Sequence, residues 1–500
     1  MNIASLLVCW LAQEPAQDLA ALLDGARAAA TTAPAPAGGF LASGTVRYLG
    51  MEGTYELLFD PERGAFRAAR GGELAETVTW NGAEGWVQDW SGASYPLQMR
   101  EREDTLLQHA VATSSWTRPG ASLQIELLQA DDGGEAVLSL RLKGGRSEGR
   151  LRLHRASGRP STLELMAHGS PSTWLFSDWE GGLARTQTLQ REEELLDVRI
   201  TSVKAAPVFV RDPYAAAPVF PESTRFDPAV PAELEVKRVP SGHLLVHPRV
   251  DGRDLGWFIL DSGAGSMVLD HADAEELGTE SFGRVQAVGV GGAVQASFHR
   301  AGQFQLGPLT MDGPVFVDLD LSFLEPIFGM EIGGIVGFDV LARAVVEVDL
   351  NQPRVALHDP RTYELPRGSW QDLLLDQKLP VVRGRFEGDH DGLFRLDTGA
   401  NDTLTFMTPA VERLRLLEGR ETTRSMHGGV GGMQTLFRGK LQWLEIGGQR
   451  LEGLDAGFSE SAGGAMHDAY TDANVGHGVL GQFELVFDYF HQRIAFLPRE

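Results

Sequence analysis

The chain repeats itself, and the repeat constrains its fold more than any other feature. Trp257-Phe258-Ile259-Leu260-Asp261-Ser262-Gly263-Ala264-Gly265 returns as Leu393-Phe394-Arg395-Leu396-Asp397-Thr398-Gly399-Ala400-Asn401. Each copy is followed by a glycine-rich segment: Gly289-Val290-Gly291-Gly292 then Gln295, and Gly429-Val430-Gly431-Gly432 then Gln434. Further on, Gly334-Ile335-Val336-Gly337 is matched with Gly478-Val479-Leu480-Gly481. Each copy closes on a strand-like run, Val345–Asp349 or Leu485–Tyr489. Three markers in one order predict two equivalent lobes. In each, an apolar strand delivers an aspartate into a tight turn, where Gly263 or Gly399 permits close backbone approach.

These residues resemble the aspartic peptidases, and the retropepsin-like branch in particular. That signature is apolar-apolar-Asp-Thr/Ser-Gly-Ala, followed much later by apolar-apolar-Gly. Viral members carry one copy and form homodimers; pepsins carry two. The resemblance covers about residues 235 to 500 and implies a pair fused into one pseudo-dimer, a monomer that needs no second chain. It implies that Asp261 and Asp397 form the catalytic pair. It also implies that Ser262 and Thr398 lock the two turns together, and that Gly337 and Gly481 pack under them. Gly289 to Gly292 and Gly429 to Gly432 then mark two flaps, within 284–299 and 424–438, although no equivalent of the pepsin flap tyrosine is evident.

The chemistry suits the residues. Two carboxylates about 3 Å apart cannot both ionise, so they share one proton. The pair thus supplies both a base to activate water and an acid to protonate the leaving amine. No metal or organic cofactor is required. Pepsin-like relatives often place a hydroxyl where Ala264 and Ala400 stand, favouring the ionised carboxylate. Alanine cannot do this, so activity is expected from mildly acidic to neutral pH. The substrate would be a peptide or protein, laid extended between the lobes.

The region before the repeat has another pattern. Residues 14–31 place Leu19, Leu22, Leu23 and Ala26 at helical spacing. From Phe40 the period becomes two. Gly44–Leu49 and Thr54–Phe59 read as paired strands, Trp80-Asn81-Gly82 with Gly85-Trp86-Val87 as a hairpin, and Val137–Lys143 and Arg150–His154 as half-buried strands. A helix followed by such a meander resembles the periplasmic lipoprotein-carrier proteins, over about residues 15 to 200. That resemblance implies a curved sheet half-wrapping a helix, with an apolar cup able to take a lipid, lipoprotein or peptide.

The expected fold is therefore mainly β: two barrel-like lobes preceded by an antiparallel curved-sheet domain with one N-terminal helix. The boundaries read as a signal segment at 1–13, the helix and β domain at 14–204, a proline-rich linker at 205–240, and lobes at 241–365 and 366–500. Ile3–Ala12 is too short to span a bilayer but suits a secretory signal core. Cys9 is the only cysteine, so export to the periplasm or outside the cell leaves a chain with no thiol. No other run is long enough to cross a membrane. A net charge of −24 argues against nucleic acid as partner.

Other patterns fail on context. Gly145–Gly149 satisfies a nucleophile elbow but lies between charged strands. Gly476–Gly481 satisfies a dinucleotide fingerprint but precedes a strand. The 13 histidines are mostly scattered, and His243 and His247 flank a strand rather than a helix, so no metal site is expected. The rival to the enzyme is a carrier with a protease-like interaction module. An apolar cup lining in 40–200 would favour it, especially with the two aspartates too far apart to share a proton. A third reading is self-processing within 205–240.

Overall fold

The computed structural model describes residues 18–31, 39–118, 120–167, 170–191, 194–215, 219–289, 292–429 and 432–499. The expected signal segment and residues 14–17 lie outside them. The chain forms two compact units: 1–85 with 100–216, and 86–99 with 217–500.

The first unit is an antiparallel meander. Its strands are β1 (Phe40–Tyr48), β2 (Met51–Asp60), β3 (Ala65–Arg70) and β4 (Glu76–Trp80), while β5 (Gly85–Gln88) and β6 (Ser94–Pro96) form the hairpin of 86–99. After it come β7 (Leu123–Asp132), β8 (Glu135–Leu142), β9 (Glu148–His154), β10 (Arg159–Ala167), β11 (Ser170–Glu180), β12 (Leu183–Arg191) and β13 (Glu194–Ala205). Within the first unit the sheet order is β4-β3-β2-β1-β13-β12-β11-β10-β9-β8-β7. Asn81 makes the turn after β4, its side chain accepting the N–H groups of Ala83 and Glu84.

Helix α1 spans residues 18–31. A second helix, α2 (Met99–Ala112), follows the hairpin. It is polar enough to hide its helical stripe: Leu107 and Val111 face inward, while Glu103 accepts the backbone N–H groups of Arg146 and Ser147. That bond pins the Gly145–Gly149 loop as a β8–β9 connection. The apolar face of β8 and β9 (Ala136, Leu138, Leu140, Leu151, Leu153) packs on Leu22 and Ala26 of α1, Leu107 and Val111 of α2, and Trp116. That face of the sheet is packed against the chain's own helices, each buried leucine contributing about 1.5–3 kcal/mol.

In the second unit, two eight-stranded sheets repeat one plan. The first runs Val236–Arg238, Leu244–Val246, Phe258–Leu260, Gly334–Val336, Val268–Asp270, Val315–Leu319, Gly292–Arg300, Ser281–Gly289. The second runs Leu374–Asp376, Leu379–Phe386, His390–Leu396, Ala473–Val475, Leu404–Phe406, Gln449–Ser459, Gly432–Ile446, Thr423–Gly429. A five-stranded sheet ties the lobes: Val345–Asp349 of the first pairs antiparallel with Phe483–Asp488 of the second.

The hairpin of β5 and β6 is wedged into this unit. Trp90 meets Phe298 and Tyr95 meets Phe338 edge-on, both rings belonging to the first lobe. Asp89 binds Lys378 of the second lobe at 2.5 Å, both side chains buried, and Lys378 lies 3.9 Å from the Trp90 ring centre. Gln377 and Lys378 form the two-residue turn after Leu374–Asp376 in left-handed backbone, a conformation disfavoured for non-glycine residues. Buried Arg343 donates to Thr224 Oγ1 and to the Asp339 and Ser91 carbonyls.

Breaking this buried pair should leave the Asp89 charge without its lysine, with the Ser91 N–H and hydroxyl still donating to it. Lys378→Met is expected to destabilise the second unit by about 3–5 kcal/mol, and adding Asp89→Asn should recover part of that. Urea unfolding followed by tryptophan fluorescence measures both. Equal losses in the single and double variants would show that the ion pair is not what holds the turn.

Candidate active site

Each aspartate arrives in the same way. Phe258–Leu260 is a buried strand running parallel to Gly334–Val336, and Asp261 N–H donates to Val336 O at 3.0 Å. His390–Leu396 runs parallel to Ala473–Val475, and Asp397 N–H donates to Val475 O at 2.9 Å. Both strands then turn back: Ala264 N–H reaches Asp261 O, and Ala400 N–H reaches Asp397 O, each at 3.3 Å.

The turns interlock. Ser262 N–H donates to Thr398 Oγ1 at 2.9 Å, and Thr398 N–H to Ser262 Oγ at 3.0 Å. Each hydroxyl then donates across the interface, Ser262 to Leu396 O at 2.8 Å and Thr398 to Leu260 O at 2.9 Å. Both side chains are buried, so all four bonds form away from competing water.

The lock brings the carboxyls together. Gly263 N–H donates to Asp261 Oδ1 at 2.7 Å and Gly399 N–H to Asp397 Oδ1 at 2.9 Å. A Cβ on Gly263 would lie 2.7 Å from Asp397 Oδ1, and one on Gly399 2.5 Å from Asp261 Oδ1. Neither turn tolerates a side chain there. Asp261 retains some surface as a residue, yet its carboxyl is packed between the turns. Burial and the neighbouring Asp397 carboxylate push it well above the usual carboxylate range.

Gly337 lies under the first turn: a Cβ would sit 2.5 Å from Ala264 O, and Phe338 N–H donates to that oxygen. In the second lobe the structure corrects the assignment. Gly476, not Gly481, holds this place, its Cβ position 2.6 Å from Ala400 O and His477 N–H bonded to the same oxygen. Gly481 caps the far end of the short helix His477–Leu480. The sequence misleads because 478–481 keeps a Gly-apolar-apolar-Gly pattern. The true counterpart of Gly334-Ile335-Val336-Gly337 is Ala473-Asn474-Val475-Gly476, with a polar residue inside the apolar pair.

Three functional candidates therefore escaped the sequence reading. Asn474 Nδ2 donates to Asp397 Oδ2 at 2.7 Å. His477 Nε2 bonds Thr398 O and His243 Nε2 bonds Gly399 O, both at 2.8 Å. A carbonyl only accepts, so both Nε2 atoms carry hydrogen. Burial lowers the basicity of both imidazoles. Among the described residues, no three His, Cys, Asp or Glu side chains converge as a metal site requires.

The glycine-rich segments are hairpins. Gly289 pairs with Gly292 and Gly429 with Gly432; Val290, Gly291, Val430 and Gly431 lie outside the described residues. Gly289 O accepts Ala465 N–H at 3.2 Å, so the first hairpin is tied to the second lobe. Val288, Met426 and Met433 are exposed near the two ends.

Two interlocked Asp-Ser/Thr-Gly turns at the join of two like lobes define an aspartyl-protease architecture. Residues 246–340 and 382–482, one segment in each lobe, match the aspartyl protease family. No curated protein matches the chain. Among solved structures, a retropepsin-like aspartic protease from Rickettsia conorii is 13% identical, covering 26% of this chain and 94% of that one, with a TM-score of 0.20. A DUF1329 family protein from Desulfovibrio piger is 10% identical, covering 37% and 92%, with a TM-score of 0.27. MucB is 13% identical, covering 60% and 93%, with a TM-score of 0.15.

Two outcomes follow from the geometry. Thr398→Val removes one donor and one acceptor of the lock and should cost about 2–6 kcal/mol across the two orphaned partners, with Thr398→Ser near wild type; chemical denaturation of each reads this. Asp261 binds its proton more tightly folded than unfolded, so stability falls as pH rises above the unfolded value of about 3.9. Asp261→Asn should therefore melt higher than wild type at pH 7, the gap closing below about pH 4. A variant that melts lower at pH 7 would contradict the assignment.

Proposed function

We propose that this protein is an aspartic endopeptidase in which Asp261 and Asp397 share one proton and activate one water. The observation that carries this is the meeting of the two carboxyls across interlocked turns. A general base and a general acid are then held on opposite sides of one reacting centre.

The ionised carboxylate takes a proton from water as the hydroxyl oxygen adds to the scissile carbonyl carbon. The protonated carboxyl gives its proton to the carbonyl oxygen, forming a neutral gem-diol. The first carboxyl then passes its proton to the amide nitrogen, the C–N bond breaks, and the second carboxyl recovers a proton from the diol. Protons balance over one cycle.

An extended peptide would lie beneath the two hairpins. In the first lobe, Ala264 of the turn and Ala287, Val294 and Ala296 of the hairpin pack on one apolar cluster with Ile335 and Leu319. That surface favours apolar substrate side chains beside the scissile bond. Because one chain supplies both aspartates, a monomer suffices. In this reading the protein is exported, with residues 1–13 as its signal, and the first unit recruits protein or lipoprotein substrates. The carrier alternative is weaker because the apolar face of β8 and β9 is already covered by α1, α2 and Trp116.

The test is cleavage of a mixed peptide library by the full chain across pH 3 to 8, beside Asp261→Asn and Asp397→Asn. Wild type should cut, with an activity range reaching neutral pH, and each variant should lose about 10³-fold or more while staying folded. A wild type inert at every pH, or a variant that still cuts well, would falsify the reading.

A further inference from the structure

Apart from the His243 bond to Gly399 O, the two lobes surround their aspartates differently at two matched positions. Each carboxyl accepts one N–H from the glycine of its own turn. Beside Asp261, the strand Gly334–Val336 presents Ile335, which has no donor. Beside Asp397, the matching strand presents Asn474, whose amide donates to Oδ2 at 2.7 Å. An amide oxygen turned to that carboxylate would be repelled, so the –NH₂ must face it. Asn474 is itself buried.

The second difference lies one bond further away. His477 occupies the place that Phe338 holds in the first lobe, directly after the glycine under the turn. Its Nε2–H donates to Thr398 O, the carbonyl of the peptide whose N–H, on Gly399, donates to Asp397 Oδ1. Hydrogen bonds in series polarise one another, so this relay strengthens the Gly399 donor. Phe338 offers no such relay to the first turn.

We propose, resting on the peptidase reading above, that Asn474 is a positioning residue that fixes the negative charge of the dyad on Asp397 and leaves the proton on Asp261. Asp397 is then the base that takes the water proton, and Asp261 the acid that protonates the carbonyl oxygen. Hydrogen bonds to a charged acceptor favour the charged form, and only Asp397 has a side-chain donor of this kind. The other titratable groups around the pair are His243, His477 and Tyr489. Arg238, Asp402 and His243 face His477 in turn. Burial disfavours charge on both imidazoles and, with the two carboxylates, on the Tyr489 phenol. None is placed to substitute for the Asn474 bond.

The experiment exchanges the two lobes' residues in the full-length protein. Asn474→Ile copies the first lobe, Ile335→Asn copies the second, and the double variant swaps them. Carboxyl ¹³C NMR titration, with the dyad signals assigned by their loss in Asp261→Asn and Asp397→Asn, reads the charge without any substrate. Asn474→Ile should move the dyad's lower apparent titration up by about 1–2 pH units, the size expected for losing a hydrogen bond to a charged group. The acidic limb of kcat/KM should move with it. The double variant should return the titration toward wild type with the ionised signal now at Asp261. If Asn474→Ile proves unfolded by circular dichroism, Asn474→Ser, too short to keep the contact, should give the same displacement. A folded Asn474→Ile or Asn474→Ser whose dyad titrates as wild type overturns the proposal. If the titration moves but wild type cuts no peptide, the Asn474 assignment stands and the peptidase reading alone falls.

Discussion

Everything at the site depends on four hydrogen bonds made by Ser262 and Thr398 across the two turns. Two carboxyls repel each other once ionised, and an ordinary loop would let them part. Here each hydroxyl accepts the other turn's N–H and donates to a strand carbonyl on the far side. The turns cannot separate without stranding several buried polar groups at once, each at about 1–3 kcal/mol. The lock also explains the glycines: a Cβ at 263 or 399 would occupy the space of the opposing carboxyl.

A duplicated site need not be a symmetric one. A homodimer of identical lobes must leave the location of the shared proton to chance or to substrate. Fusion into one chain frees the lobes to diverge, and the divergence here is concentrated beside the carboxyls: Ile335 against Asn474, Phe338 against His477. Ala264 and Ala400 lack the hydroxyl that pepsin-like relatives often use to favour the charged form, and Asn474 supplies a donor from a neighbouring strand instead. At Asp261 no such donor stands, and burial together with Asp397 raises its carboxyl unopposed by a side-chain amide.

The protease-like unit is not built from the C-terminal half alone. Its Lys378 turn rests on Asp89 and Trp90, and its Arg343 on the Ser91 carbonyl, all from a hairpin encoded between β4 and α2. Removing about the first two hundred residues would take a counter-charge and two aromatic faces away from this unit. This arrangement was not legible beforehand. Asp89 and Lys378 are 289 residues apart, and each alone reads as an ordinary surface charge.

The aspartates and their turn residues could be read from sequence because a tight turn at a strand end is local chemistry, and the duplication printed it twice. The alternating strands of the first unit were legible for a similar reason: Ala136, Leu138 and Leu140 declare a buried face by their spacing. Helix α2 was missed because its inward face is short and its buried Glu103 is recruited by a distant loop. Gly476 was missed because its neighbour Asn474 breaks the apolar pattern that makes the same strand recognisable in the first lobe. The sequence by itself determined two lobes, two aspartates and the backbone freedom at Gly263 and Gly399. Only the tertiary structure decided which glycine lies beneath the second turn, which side chain donates to Asp397, and what fills the apolar face of the first unit. Those outcomes depend on contacts between residues far apart in the chain, whose partners are set by strand pairing and packing rather than by local pattern.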